Sequence, residues 1–451
     1  MTARINAGPG VLASVALVAV VLAVASWQVP WLALGAASAA ALLALTLARA
    51  DLLLLVLTAA LPWEGLLAFP TETVTVVKLL GLLLFVAFVV RAAGGQESLR
   101  FPPTLIPVLA LGLLVGVSLM FSPDPNAGVS KTLRYVLFIT FFFLIVQLVR
   151  DRRAVIRAVR VITISATVAA AVGVVSFLSG DQKRATGPIS DPNDFAYLIA
   201  SVLPLAAFLF AQERSRRPLW ALASIVLVSG MLATLSRGAI VGLGALAVWA
   251  IVTRRVRIGG LTAGILGAGL ALLLAFSFYG PLIQEGLDGK GKVASSNISS
   301  RQFYWTAALR MAAERPLTGV GPQRFGDESD DSLPAQPPGA EDQDLVVHNS
   351  YLEILAESGV LALLAFLAFL GGTWRLLGRA RRDSQSRGDT EGARLTTAMQ
   401  GTLVVAIVSG LFLSEQLTTP FWLIGALATA VGGTDLVARR RARAGSRLVT
   451  T

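Results

Sequence analysis

The sequence predicts an all-α polytopic membrane protein with about 12–14 transmembrane helices. Three observations predict it. The chain is 55% hydrophobic and 14% charged, whereas soluble domains carry about 25% charged residues. Apolar runs of about 15–22 residues recur from one end of the chain to the other, each long enough to satisfy its own backbone as a helix in lipid. None of these runs alternates with the period of two that a membrane β-barrel needs.

Nineteen-residue windows place the spans at 10–27, 31–48, 51–68, 74–90, 104–121, 131–149, 154–178, 195–211, 218–235, 238–252, 258–279, 350–374, 396–414 and 417–437. In the first, Ala23-Val-Ala25 imitates a cleavage site. Arg4 alone makes a weak basic flank and a second span follows at once, so an uncleaved helix is expected. Pro62-Trp-Glu64 interrupts the third span. The chain therefore divides into N-terminal transmembrane helices over 1–190, helices with an outward hairpin at Arg237 over 191–279, and a large loop over 280–349. C-terminal helices over 350–438 and a basic tail over 439–451 complete it.

The net charge of +11 follows topology. Arg4, Arg49, Arg91 with Arg100, Arg150–Arg160, Arg214–Arg217, Arg254–Arg257, Arg375–Arg394 and Arg439–Arg447 fall in every second connection. Together they hold roughly two-thirds of the 38 Lys and Arg residues, an excess that marks the cytoplasmic side. Both termini are then cytoplasmic, the location is the cytoplasmic membrane, and 280–349 faces outside. The partners expected on this ground are membrane lipids and not nucleic acid. With no cysteine and one histidine, disulfides, thiolate centres and a His-cluster metal site are excluded. No metal and no cofactor is expected.

The outer loop has three parts. Gly280–Ser300 is rich in Gly and Ser. Arg301–Arg315 reads as a helix preceded by Ser299 and Ser300 and stopped at Pro316, with Phe303, Tyr304, Trp305 and Met311 suited to a membrane surface. Asp327–Asp344 is acidic and Pro-rich and reads as a solvated loop in preference to a cation site. Between the last two, Pro316-Leu-Thr-Gly-Val-Gly-Pro322 has the composition of a fixed turn with close backbone approach.

Cations on the outer side run against the topology and so carry information. Arg237 sits at the apex Thr234-Leu-Ser-Arg-Gly238 between runs of roughly 27 and 22 Å, shorter than a hydrocarbon core of about 30 Å. It either snorkels to the headgroups or meets an anion in a recessed site. Arg301 opens the loop helix, where free N–H groups also favour an anion. Guanidinium is the fork that fits phosphate oxygens. Lys78, Lys131 and Arg134 stand at outer helix ends, and the last two are one turn apart, so they are expected to share a cavity. His348, the sole histidine, precedes the capping residues Asn349 and Ser350 at a rigid helix start. Imidazole is the side chain that takes a proton near neutral pH.

The order Ser236-Arg-Gly238, Arg301, Trp305, Pro316-Leu-Thr-Gly-Val-Gly321, His348-Asn-Ser-Tyr-Leu352 and Glu357-Ser-Gly359 resembles the O-antigen ligase/O-antigen polymerase superfamily over roughly 190–420. The resemblance implies a GT-C-like, metal-independent glycosyltransferase with undecaprenyl-diphosphate-linked glycan as donor. A glycan or lipid-glycan is the acceptor, on the outer face of the membrane. It carries diphosphate binding to Arg237 and Arg301 and the essential histidine to His348. Lys78 is the nearest match to an early outer-loop lysine of some members, and Arg134 joins it as a diphosphate-binding candidate. Ligases of that family have twelve helices, so the fourteen windows either include an extra pair or split helices.

The residues suit this chemistry. Two guanidiniums neutralise a departing diphosphate, one imidazole deprotonates the acceptor hydroxyl, and in-line attack inverts the anomeric centre. Glu353 or Asp344 is the carboxylate expected to orient the imidazole. The reading is therefore an O-antigen ligase-like transferase. The alternatives are a polymerase joining lipid-linked repeats and a lipid-linked glycan flippase. The flippase would call for inverted repeats and midplane ion sites, which the sequence does not display.

Overall fold

The computed structural model describes residues 49–66, 75–254, 301–327 and 346–432, except 96, 98, 190 and 415. The expected spans 10–27, 31–48 and 258–279 lie outside the described residues, as do Ser299, Ser300, Asp344 and the basic tail. In chain order the helices are α1 (Ala50–Ala60), α2 (Val76–Ala93), α3 (Leu105–Met120), α4 (Pro125–Leu148), α5 (Arg152–Leu178), α6 (Pro192–Gln212), α7 (Arg217–Ala233) and α8 (Arg237–Val252). After them come α9 (301–314), α10 (Ser350–Ser386), α11 (Thr390–Ser409) and α12 (Thr419–Gly432). No β-strand occurs among the described residues. Among the described residues six helices, α2, α4, α5, α6, α7 with its leading turn and α10, are long and apolar enough to cross a membrane.

Local chemistry sets the helix starts. Asp124, Asp151, Asp191, Asn349 and Asp389 each accept backbone N–H bonds at the N-terminus of α4, α5, α6, α10 and α11, filling orphan donors. Proline at the first position of α4 and α6 fits the same scheme. This explains why α4 begins at Pro125 and not at 131, and α6 at Pro192 and not at 195. The interruption expected in the third span is a 3-10 turn at Leu61–Trp63. Trp63 Nε1 there donates to Ser165 Oγ (2.9 Å), which donates to Ala59 O (2.5 Å), fastening α1 to α5.

The bundle is built around α6. Its most apolar window is 72% buried, because it packs against α5, α7, α8 and α11. Pro204 inside it gives up a backbone donor, and Thr402 of α11 donates to Ser201 O (2.8 Å) beside that gap. Helix α10 packs on α3 and α11, and α4 on α3 and α2. Leu82, Ile106, Leu113, Ile225, Val248 and Leu364 point outward. An exposed apolar surface spread over so many helices is what a lipid-facing wall requires. The chain is a multi-pass membrane protein.

Alternating helix directions bring the N-termini of α4, α6, α8 and α10 to one end, with the C-termini of α3, α5, α7 and α11. At the opposite end ion pairs tie the elements. Arg152 meets Asp389 (2.5 Å), Arg160 meets Glu213 (2.5 Å), and Glu97 joins Arg91 and Arg150.

Helix α10 is broken at Gly359, with φ 80° and ψ 175°. Into the break docks the turn 316–322. Val320 N–H donates to Ala356 O (2.9 Å), Gly321 N–H to Glu357 O (3.0 Å), and Val360 N–H to Pro316 O (2.8 Å). A Cβ on Gly359 would stand 2.3 Å from Leu317 O, and one on Gly319 2.3 Å from the Glu357 carbonyl carbon. Backbone meets backbone there, so no side chain has room. Gly359→Ala is expected to cost on the order of 3 kcal/mol, through φ and contact together. A lower thermal unfolding midpoint in detergent checks it, and an unchanged midpoint would contradict it.

Candidate active site

Helix α9 supplies the first part of the site. Arg301 and Trp305 are four apart and share a helix face. Trp305 Nε1 donates to Val347 O (3.1 Å), which sets Arg301 beside the next residue, His348. The aromatics expected on a membrane surface partly turn inward. Tyr304 and Met311 are buried with Val320, Phe325, Val347 and Ala356, so α9 is clamped between the 316–322 turn and α10.

His348 has φ 51°, a left-handed backbone that histidine tolerates better than most residues. It is held from both sides. Behind it Asn349 Oδ1 accepts from the N–H groups of Tyr351 (3.0 Å) and Leu352 (3.1 Å). Ser350 N–H donates to Gly410 O and Leu413 O, and Tyr351 Oη donates to Ile407 O (2.8 Å). The imidazole is thus fixed at the start of α10, as the capping residues implied.

Arg237 is the first residue of α8. Ser236, in the cap position, makes no side-chain bond to the helix N–H groups, so those donors stand open next to the exposed guanidinium. The turn carrying Arg237 is braced by a loop that sequence reading did not single out. Arg184 donates through Nε to Thr234 O (2.9 Å) and through a terminal nitrogen to Asn193 Oδ1 (3.0 Å), while Ala185 N–H donates to Ala233 O (3.0 Å).

The charges form one set. Burial lowers the pKa of Arg301, and the positive charge of Arg237 lowers it further. Among the described residues no carboxylate offsets this pair. Burial also lowers the pKa of His348, with Arg301 adding to the effect, while Glu353 and Asp191 pull it back up. The imidazole is therefore neutral near pH 7 and able to accept a proton. Asp191, the cap of α6, was missed by sequence reading. Its Asp-Pro signature could have revealed it, since Asp before Pro is a standard helix start.

Of the expected site residues, Arg237, Arg301 and His348 come together. Lys78 and Arg134 are placed elsewhere. They line a groove of about 270 Å³ between α1, α2 and α4, with Glu64 and apolar side chains such as Leu57, Phe85 and Phe138. The expectation that Lys131 and Arg134 share a cavity is corrected. Lys131 turns from that groove toward α10, where its Nζ pairs with Glu353 and with Glu357 (2.6 Å). One turn apart is about 60° off a common direction on a helix, enough for neighbouring helices to claim the two side chains separately.

Residues 222–367 match the family model described as O-antigen ligase. No curated protein matches the chain. The matched segment runs from within α7 to within α10, a narrower stretch than the motifs suggested. It contains Arg237, Arg301, His348, the 316–322 turn and the Gly359 break. Lys78, Lys131, Arg134, Arg184 and Asp191 lie before it in sequence. Helices ahead of the matched segment thus contribute Asp191 and Lys131 to its surroundings. The match supports a function of the O-antigen ligase/polymerase type, with lipid-linked glycans as the substrate class.

Proposed function

We propose that the protein is a membrane glycosyltransferase of the ligase type. It moves a glycan from an undecaprenyl-diphosphate carrier to an acceptor hydroxyl on the outer face of the cytoplasmic membrane. The observation that carries the reading is the pair Arg237 and Arg301, two guanidiniums without a carboxylate between them, beside the one imidazole. Two cations forced together favour a polyanion strongly, and a diphosphate supplies one.

In the reaction, an acceptor oxygen attacks the anomeric carbon and its proton passes to His348. The bond from that carbon to the diphosphate breaks on the far face, its electron pair leaving with the diphosphate. Arg237, Arg301 and the open N–H groups of α8 stabilise that charge. The anomeric centre is inverted and the proton rests on the imidazole. Lys78 and Arg134, at their separate groove, serve as a second cationic position for a lipid diphosphate. Asp191 and Glu353 balance the arginines around the base. The site faces outward, with both termini cytoplasmic.

The test uses purified protein in detergent, where transport across a membrane has no meaning. With a synthetic polyprenyl-diphosphate-linked glycan and a lipid-glycan acceptor, one inverted linkage should form per polyprenyl diphosphate released, with or without EDTA. Extension of the donor by itself would mark a polymerase. Absence of any transfer would count against the reading.

A further inference from the structure

Beside the segment that follows His348 lies a buried cluster of which the proposed reaction draws only on Glu353. Lys131 of α4 stands between Glu353 and Glu357 of α10, all three side chains no more than 14% exposed. Gln416 Nε2 donates to Glu353 Oε1 (2.6 Å). The Glu357 backbone carbonyl is held by Ser118 Oγ (2.6 Å) and by Gly321 N–H. The cluster borders a chamber of about 120 Å³ that Val346 and Val347 also line, immediately before His348. Charges are costly in such a place and need partners. Here the partners are unequal, two carboxylates for one ammonium.

We propose that Lys131, Glu353 and Glu357 are positioning residues for His348: the buried cluster fixes the segment that follows the imidazole and holds the Glu353 carboxylate against the two arginines. The charged groups facing His348 are Arg301 of α9, with Arg237 of α8 behind it, Asp191 at the start of α6 and Glu353 of α10. The arginines that suit a diphosphate would by themselves make a poor base, because a neighbouring cation disfavours imidazolium. Glu353 counters them. Lys131 bridges the two carboxylates and keeps Glu353 in place. Geometry serves the same end. Glu353 and Glu357 are one turn apart on the segment that follows His348, and Lys131 ties that segment to α4.

The proposal rests on His348 as the base, but its test does not. His348 is the only histidine, so protein labelled with ¹⁵N-histidine and carrying no histidine tag gives a single imidazole to titrate by NMR. Glu353→Gln keeps the shape and removes the charge, and should lower the titration midpoint by about one pH unit. Glu357→Gln should lower it by less, being a turn further along. A structural role alone would move protein yield and melting but leave the midpoint in place. Should Glu353→Gln fail to insert, Glu357→Gln carries the same test. A midpoint unmoved in the folded variant overturns the proposal. Absence of glycosyl transfer by the wild type would count against the transferase reading and leave the titration to decide this one.

Discussion

His348→Ala is expected to fold, insert and bind the lipid-linked donor, and to turn over at least a hundred times more slowly than wild type. A general base contributes roughly 10²–10⁴-fold. The side chain makes none of the bonds that hold the start of α10, which belong to Asn349, Ser350 and Tyr351, so its removal should spare the fold. The pH profile gives a second signature. Burial and Arg301 hold the His348 pKa below the ordinary value of 6.5. Because the neutral imidazole is the working form, turnover should stay level as pH falls through 6.5 and decline only below it. Single-turnover measurement with preloaded donor checks both points. A variant that keeps most of its rate would make His348 a helix-start residue and shift the search for the base to Asp191 or Glu353.

Arg237→Ala and Arg301→Ala are each expected to lose about 30- to 1000-fold in kcat/KM. Loss of one charge-assisted contact to a desolvated diphosphate costs on the order of 2–4 kcal/mol. The two should differ in one respect. Removing Arg237 also removes the charge that lowers the Arg301 pKa, so Arg301 binds a remaining phosphate with less competition. The double variant is therefore expected to be worse than the product of the singles. Lysine at either position should rescue only in part, since it lacks the fork. Near wild-type activity in both alanine variants would leave these arginines with a role at the lipid surface alone.

The residues legible in the sequence were those that contradict their surroundings. A lone imidazole and two arginines, in connections that the charge count assigns to the outer side, stand out in an apolar chain, and helix spans follow from the length of apolar runs. Several features stayed hidden because a partner distant in sequence decides them. Lys131 looks like a free outer cation, but the first of its carboxylates lies 222 positions further on. Tyr304 and Met311 looked amphipathic, yet Val320, Val347 and Phe325 cover them. Helix α10 outran its apolar window because Arg375, Arg379, Arg381 and Arg382 are good helix formers that continue it beyond lipid. Asp191 is legible in principle from its Asp-Pro pair, but an apolar window begins at the first apolar residue and leaves the cap outside.

The break at Gly359 has a mechanical consequence. A helix clamped in a bilayer tilts as hydrocarbon thickness changes, and an unbroken rod would carry that tilt to its tip. In α10 the rod ends at Gly359. The short piece Ser350–Ser358 is bonded instead to the 316–322 turn and to residues 410 and 413. A change in membrane thickness is therefore expected to bend α10 at this glycine, against the bond from Val360 N–H to Pro316 O, before it disturbs the registration of the imidazole with Arg301. Such a joint would act as a coupling that shields the chemistry from the lipid around it.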